Sequence, residues 1–308
     1  MAAAPVVKLR AGNCCWIATR WVALTLFVAG AGGGCSLLVD TTGLSTQGGG
    51  TTEADARTEG STPPVDGLAP DTSSVGEAGD SGAATDGGCP SGRGPAMVPI
   101  PGADYCIDGT EVTRGQYAAF LAGNPSTSGQ PAACAWNASF LPSPWDSSLT
   151  NYPVVYVDWC DAYAYCKWAG KRLCGAIGGG PLAQGRATDP TASQWYRACS
   201  ANGALTYPYG TAYAANACNA PTGGAIAPVA SFASCVGGYA GLFDMAGNVE
   251  EWQDSCDGVT GPDDNCRNQA GTFQYLTGDP QGSTRCDFID SDSRNSQLPD
   301  VGIRCCSP

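Results

Sequence analysis

The chain contains no histidine in 308 residues. That absence excludes imidazole general bases, Ser-His-Asp and Cys-His nucleophile systems, and any His-ligated zinc, iron or copper centre. Charge is also scarce: Asp, Glu, Lys and Arg together make up 14% of the residues. No C-x₂-C pair occurs anywhere, so the usual zinc-site spacing is missing too. The apolar run Trp21–Ala31 is too short to span a bilayer. Between residues 41 and 88 there is no aromatic residue, and the only large aliphatics are Leu44, Val65, Leu68 and Val75.

Glycine (43), proline (22) and cysteine (17) are abundant instead. That much Gly and Pro predicts a loop-rich globule rather than a helical bundle. Cys14, Cys15 and Cys35 flank the apolar run, and the other fourteen cysteines lie at irregular spacing from Cys89 to Cys306. An even set of this kind reads as a disulfide framework made in an oxidising compartment. Zinc is the rival reading, but neither the spacing nor a histidine is there to complete a site.

Lys8, Arg10 and Arg20 precede Trp21–Ala31, which has the length of a signal-peptide apolar region. Gly32-Gly-Gly-Cys35-Ser36 is similar to a bacterial lipoprotein cleavage site, with Cys35 as the acylated residue. Gly32 stands where Leu is usual, so cleavage without lipid is the alternative. Either route predicts an exported protein; the lipidated form would sit at the cell envelope (outer membrane or periplasm), touching membrane through the lipid on Cys35. Residues 36–94 read as a tether, because so little apolar surface cannot offset the entropy of ordering. Eight acids and a lone Arg57 within 41–88 carry about half of the net charge of −13. The acidity therefore belongs largely to the tether, and it argues against nucleic acid as a partner. Aromatic residues concentrate beyond Met97. The expected organisation is a signal segment at 1–35, a tether at 36–94 and one domain at 95–308.

Three capping boxes predict helices within that domain. Thr113-x-x-Gln116 opens a helix closed by Gly123, Asp158-x-x-Asp161 opens one closed by Gly170, and Thr191-x-x-Gln194 opens a short third. Met97–Ile100, Ile107–Val112 and Val154–Val157 read as strands, and the chain beyond Leu205 as turns with few strands. The expected class is α+β with low regular content, held by disulfides.

Gly241-Leu-Phe-Asp-Met-Ala-Gly-Asn-Val-Glu-Glu-Trp252 is the densest motif. A turn there would aim carbonyls, the Asn248 amide and the Glu251 carboxylate at one point, an oxygen set suited to Ca²⁺. The bland alternative is that Asn248 caps the turn and Glu251 is solvated. The segment resembles the signature of the formylglycine-generating enzyme (sulfatase-modifying factor) family. Asp108–Thr113, Tyr152–Leu173, Thr191–Cys199, Tyr207–Gly210 and Asp300–Cys305 match the family's other blocks in order.

The resemblance implies a compact mixed fold akin to C-type-lectin-like domains, with structural disulfides Cys166–Cys305 and Cys199–Cys286. Proximity in sequence suggests Cys218–Cys235 and Cys256–Cys266 as further bridges. The resemblance also implies a calcium site using Asn248, Glu251 and the carbonyls of Ala246 and Val249. A second, weaker calcium site would use Asn219 and Ala220. The family's enzymes bind copper with a cysteine pair after a Gly-Gly-Ser-aromatic turn and oxidise a substrate cysteine to formylglycine. Here the turn is Ala270-Gly-Thr-Phe273, and counting onward puts Tyr275 and Pro280 at the two cysteine positions. Copper is therefore not expected. Trp252 and Thr272 match residues of the oxygen pocket.

The favoured expectation is a non-catalytic module that binds a protein or glycan ligand, with Trp136, Trp145, Tyr207, Tyr209, Phe273 and Tyr275 as candidate groove residues. The alternatives are a working formylglycine-generating oxidase, or another enzyme using acids such as Glu250, Asp287, Asp290 or Asp292.

Overall fold

The computed structural model describes residues 85–86, 88–220, 225–271 and 280–307. The signal segment, Cys35 and most of the tether lie outside them. Two short strands, β1 (Thr85–Asp86) and β2 (Cys89–Pro90), pair antiparallel. Cys89 is buried and bonded to Cys106, so the ordered body reaches back before residue 95.

The first capping box forms as a closed pair. The Gln116 N–H donates to Thr113 Oγ1 at 3.2 Å, and the Thr113 N–H donates to Gln116 Oε1 at 2.9 Å. Helix α1 (Arg114–Ala122) follows and ends at Gly123. It buries Tyr117 and Phe120, three residues apart on one face. Asp158 and Asp161 make the same reciprocal pair at the start of α2 (Trp159–Trp168). Tyr165 of α2 stacks on Tyr117 at 5.6 Å between ring centroids and meets Phe120 edge-on at 5.7 Å. Burying one such ring contributes about 1.5–3 kcal/mol, and this aromatic seam anchors the largest of four core clusters among the described residues.

Helix α3 (Gln194–Cys199) starts later than its expected box. Its cap is Ser193, whose Oγ accepts from the Tyr196 N–H at 3.1 Å. The box at Thr191 does not form because the Gln194 N–H donates to the Gly175 carbonyl and the Thr191 N–H donates to Asp189 Oδ1. Val154–Val157 is not a strand: Tyr156 adopts φ +60°, which breaks an extended run.

Strands β3 (Met97–Pro99), β4 (Cys106–Asp108), β5 (Arg172–Leu173) and β10 (Cys305–Cys306) form an antiparallel sheet in the order β3-β4-β10-β5. A second sheet has the order β8-β7-β6-β9, from β6 (Glu250–Cys256), β7 (Asn265–Gln269), β8 (Ile289–Ser293) and β9 (Val301–Gly302). Its β6–β9 pair is parallel and the others are antiparallel. The turn-rich expectation beyond Leu205 thus missed a sheet. Asn265-Cys-Arg-Asn-Gln269 and Ile289-Asp-Ser-Asp-Ser293 are polar strands, without the alternation that marks a half-buried ladder. A single turn of helix, α4 (Pro280–Ser283), precedes β8.

Seven disulfides staple this frame. Cys166–Cys305, Cys199–Cys286, Cys218–Cys235 and Cys256–Cys266 join residues already paired on sequence grounds. Cys89–Cys106, Cys134–Cys160 and Cys174–Cys306 complete the set. Among the described residues no helix is long and apolar enough to cross a membrane.

Candidate functional site

The Gly241–Trp252 motif folds as a turn leading into β6. Gly247 sits at φ +73°, and a Cβ there would lie 2.6 Å from the Asn219 carbonyl oxygen. Only glycine fits that approach. Asn248 also adopts a left-handed conformation, φ +56°, which Asn tolerates better than most residues. Its N–H donates to the Asn219 carbonyl at 2.8 Å. Its Nδ2 donates to Glu111 Oε1 at 2.9 Å, and its Oδ1 accepts from Asn219 Nδ2 at 2.9 Å and the Ala227 N–H at 2.8 Å. One side chain therefore ties the turn to Glu111 and to the 219–227 loop. Ala246 and Val249 are fully buried beside it.

Glu251 is completely buried and faces a guanidinium. Arg304 Nε lies 2.9 Å from both carboxylate oxygens, and its Nη2 lies 2.9 Å from Oε1. The Trp195 indole donates to Oε2 at 2.6 Å. Arg304 spends its other donors on the carbonyls of Asp108 and Phe243. Asp108 in turn accepts from Lys171 Nζ at 2.5 Å and from the Cys305 N–H at 3.0 Å. Sequence reasoning missed Arg304, Asp108, Lys171 and Glu111. Arg304 and Asp108 carried a signal, charge inside the apolar runs Val301-Gly-Ile-Arg-Cys-Cys306 and Cys106-Ile-Asp108; Lys171 and Glu111 carried none.

Burial raises the carboxyls of this cluster. Glu111 lies well above the usual range because it is desolvated and close to Asp244, with Arg304 opposing the shift. Burial also raises Asp244 and Glu251, Arg304 again opposing. Burial alone would lower Arg304, but Glu251 and Glu111 outweigh it and hold the guanidinium charged.

A calcium ion needs converging oxygens with free lone pairs. Both Glu251 oxygens already accept from Arg304 and Trp195, and Asn248 Oδ1 accepts from two N–H donors. The side chains named for calcium do not fit such an ion as they are arranged. Among the described residues, no group of three or more Cys, Asp or Glu is placed to hold a metal.

The remaining candidate positions disperse. Trp252 is buried in the larger core, its indole donating to the Val157 carbonyl at 2.9 Å. Thr272, Phe273 and Tyr275 lie outside the described residues, as does the Pro280 side chain. Trp136 and Trp145 pack against the larger core, whereas Tyr209 packs against the small cluster around Cys218 and Cys235. Tyr207 is buried and stacks on Tyr209. Ala220 is half-buried, beside the Asn219 that binds Asn248. Asp287 pairs with Arg285 at 2.6 Å, and Asp292 accepts from Asn268 at 2.8 Å.

The decisive comparison is with the sulfatase-modifying factor enzyme 1-like domain, which matches residues 72–307. The chain belongs to this family. The formylglycine-generating enzyme of Thermomonospora curvata is 36% identical over 135 residues, 38% of this chain and 38% of that protein. A Bos taurus protein named inactive C-alpha-formylglycine-generating enzyme 2 is 30% identical over 172 residues, 51% of this chain and 50% of that protein. The chain thus matches about half or less of the length of these relatives. The solved structure of CarF is 22% identical with a TM-score of 0.44, covering 66% of this chain and 86% of that one. The sulfatase-modifying-factor fold is present here as a mixed α+β frame with few helices and seven disulfides.

Proposed function

We propose that this protein is a non-catalytic member of the family, exported and lipid-anchored through Cys35, that binds a protein or glycan partner at the cell envelope. One observation carries the non-catalytic part. Every cysteine from Cys89 to Cys306 is in a disulfide, and Tyr275 and Pro280 occupy the positions aligned with the family's reactive thiols. Oxidation of a substrate cysteine by copper needs thiolates that can bind the soft ion and exchange with substrate. The domain has none to offer. The bovine relative bearing the word inactive in its name supports the same view. The signal-like run, the lipoprotein-like Cys35 and the poorly apolar tether support the envelope location.

The test is a thiol count together with an activity assay. Protein unfolded without reductant should react with no thiol reagent beyond Cys14, Cys15 or an unacylated Cys35. Incubation with Cu(I) and a peptide carrying Cys-x-Pro-x-Arg should leave the peptide cysteine intact by mass spectrometry. Aldehyde formation that depends on this chain would establish the oxidase instead. Loss of palmitate labelling in Cys35→Ser is expected for the lipid anchor.

A further inference from the structure

The carboxyl-terminal end of α1, the 124–131 loop and the outer face of α2 border an open cleft of about 350 Å³. It adjoins none of the residues discussed above as candidates for metal, copper or oxygen. Phe120, Phe140, Tyr163 and Trp168 supply aromatic surface, and Ala164 continues the apolar wall. On α2 the contributing positions are 163, 164, 167 and 168, one helical face.

The mouth is built in advance. Gln130 Nε2 donates to the carbonyls of Thr127 and Asn137, and Ser126 Oγ meets Ser128 Oγ at 2.7 Å. The Cys134–Cys160 disulfide ties the segment after the loop to α2. A site shaped before binding loses less entropy when it is filled.

Its electrostatics run against those of the chain. The protein carries a net charge of −13, yet no Asp or Glu lines this cavity. The carboxylate reached through its wall, Asp161, is buried behind Asn137. Lys167 stands exposed on the rim, with no ion-pair partner among the described residues. Arg93, which is not among the lining residues, places its guanidinium 4.7 Å from the Trp168 ring centroid.

From these features we infer that the cavity binds a small molecule made of one apolar or aromatic ring bearing a carboxylate. The ring lies among the aromatic side chains and the carboxylate reaches Lys167. The volume suits such a molecule, since an apolar cavity of about 150 Å³ already admits benzene. An aromatic-lined pocket with a few polar groups at its mouth is the usual form of a small-ligand site.

Calorimetric titration of the full-length protein with phenylacetate tests this, with 2-phenylethanol and glucuronate as comparators. Phenylacetate should bind saturably, 2-phenylethanol more weakly, and glucuronate not at all. Lys167→Glu should weaken phenylacetate about fivefold, the value of an exposed ion pair, and leave 2-phenylethanol unchanged. Ser128→Trp, placed at the exposed mouth, should block both. Both substituted side chains are exposed, so circular dichroism should match the parent. Absence of saturable phenylacetate binding overturns the assignment. So does an affinity indifferent to Ser128→Trp or to Lys167→Glu, or binding of glucuronate in place of phenylacetate.

Discussion

Glu251 and Arg304 meet in the interior as a fully buried ion pair at 2.9 Å. Each satisfies further groups: Glu251 accepts from Trp195, and Arg304 holds the carbonyls of Asp108 and Phe243. A buried pair is weak evidence of net stabilisation, but removing one partner strands the other without water. Arg304→Met should therefore cost about 3–5 kcal/mol, read from urea unfolding. Adding Glu251→Gln to it should recover part of that loss. A double variant no better than Arg304→Met would mean that the two carbonyls, not the carboxylate, are what Arg304 serves.

Asn248 joins three segments through one amide. Asn248→Ala leaves Glu111 Oε1 and the Ala227 N–H without their partner, which should cost about 1–3 kcal/mol. Because the donors already satisfy these oxygens, the fall in melting temperature should be the same with and without EDTA. A fall seen only when calcium is present would place an ion at this turn.

Acid should stabilise this protein over a defined window. Burial raises Asp108, Asp158 and Asp254 from 3.8 to about 6. Groups raised on folding bind protons more tightly in the native state, so their contribution is fully present below about pH 4 and lost as pH rises through 6. Depressed carboxyls oppose this only at lower pH; Asp189, held at about 2 by Thr191 and Arg186, is one of them. The melting temperature should be higher at pH 5 than at pH 7.5, and Asp254→Asn should flatten the difference.

The bridges ending at Cys305 and Cys306 should be mutually redundant. They start at Cys166 and Cys174 and span 139 and 132 residues, so each closes nearly the same loop. Removing either pair with serines should cost little beyond local packing, since the other still restrains the unfolded chain. Removing both should cost about 4–5 kcal/mol, the loop-closure value for a span of this order. Thermal unfolding of the two single-bridge variants and the double variant checks this; simple additivity would contradict it.

Local signals were the legible part of the fold. The boxes opening α1 and α2 lie within four residues of chain and form as read. The box assigned to Thr191 failed because its two donors are taken elsewhere, the Thr191 N–H by Asp189 and the Gln194 N–H by the distant Gly175 carbonyl. The second sheet was hidden because Asn268, Gln269, Asp290 and Asp292 interrupt any apolar alternation, and its support comes from side-chain pairing such as Asn268–Asp292. At the candidate site, the residues of the turn were legible from their density, but their partners were not. Glu111, Asp108 and Arg304 lie far apart in sequence, and nothing local says which carboxylate a buried guanidinium will meet. The bridges Cys166–Cys305 and Cys199–Cys286 came from family likeness rather than spacing.

Strand β10 lies between β4 and β5, and the Cys305 N–H reaches back 197 residues to Asp108. The first sheet cannot close until those intervening residues have been made. A sheet whose interior strand is the last of its four in sequence pairs late, because a very long loop must be closed before the contact can offset its entropy.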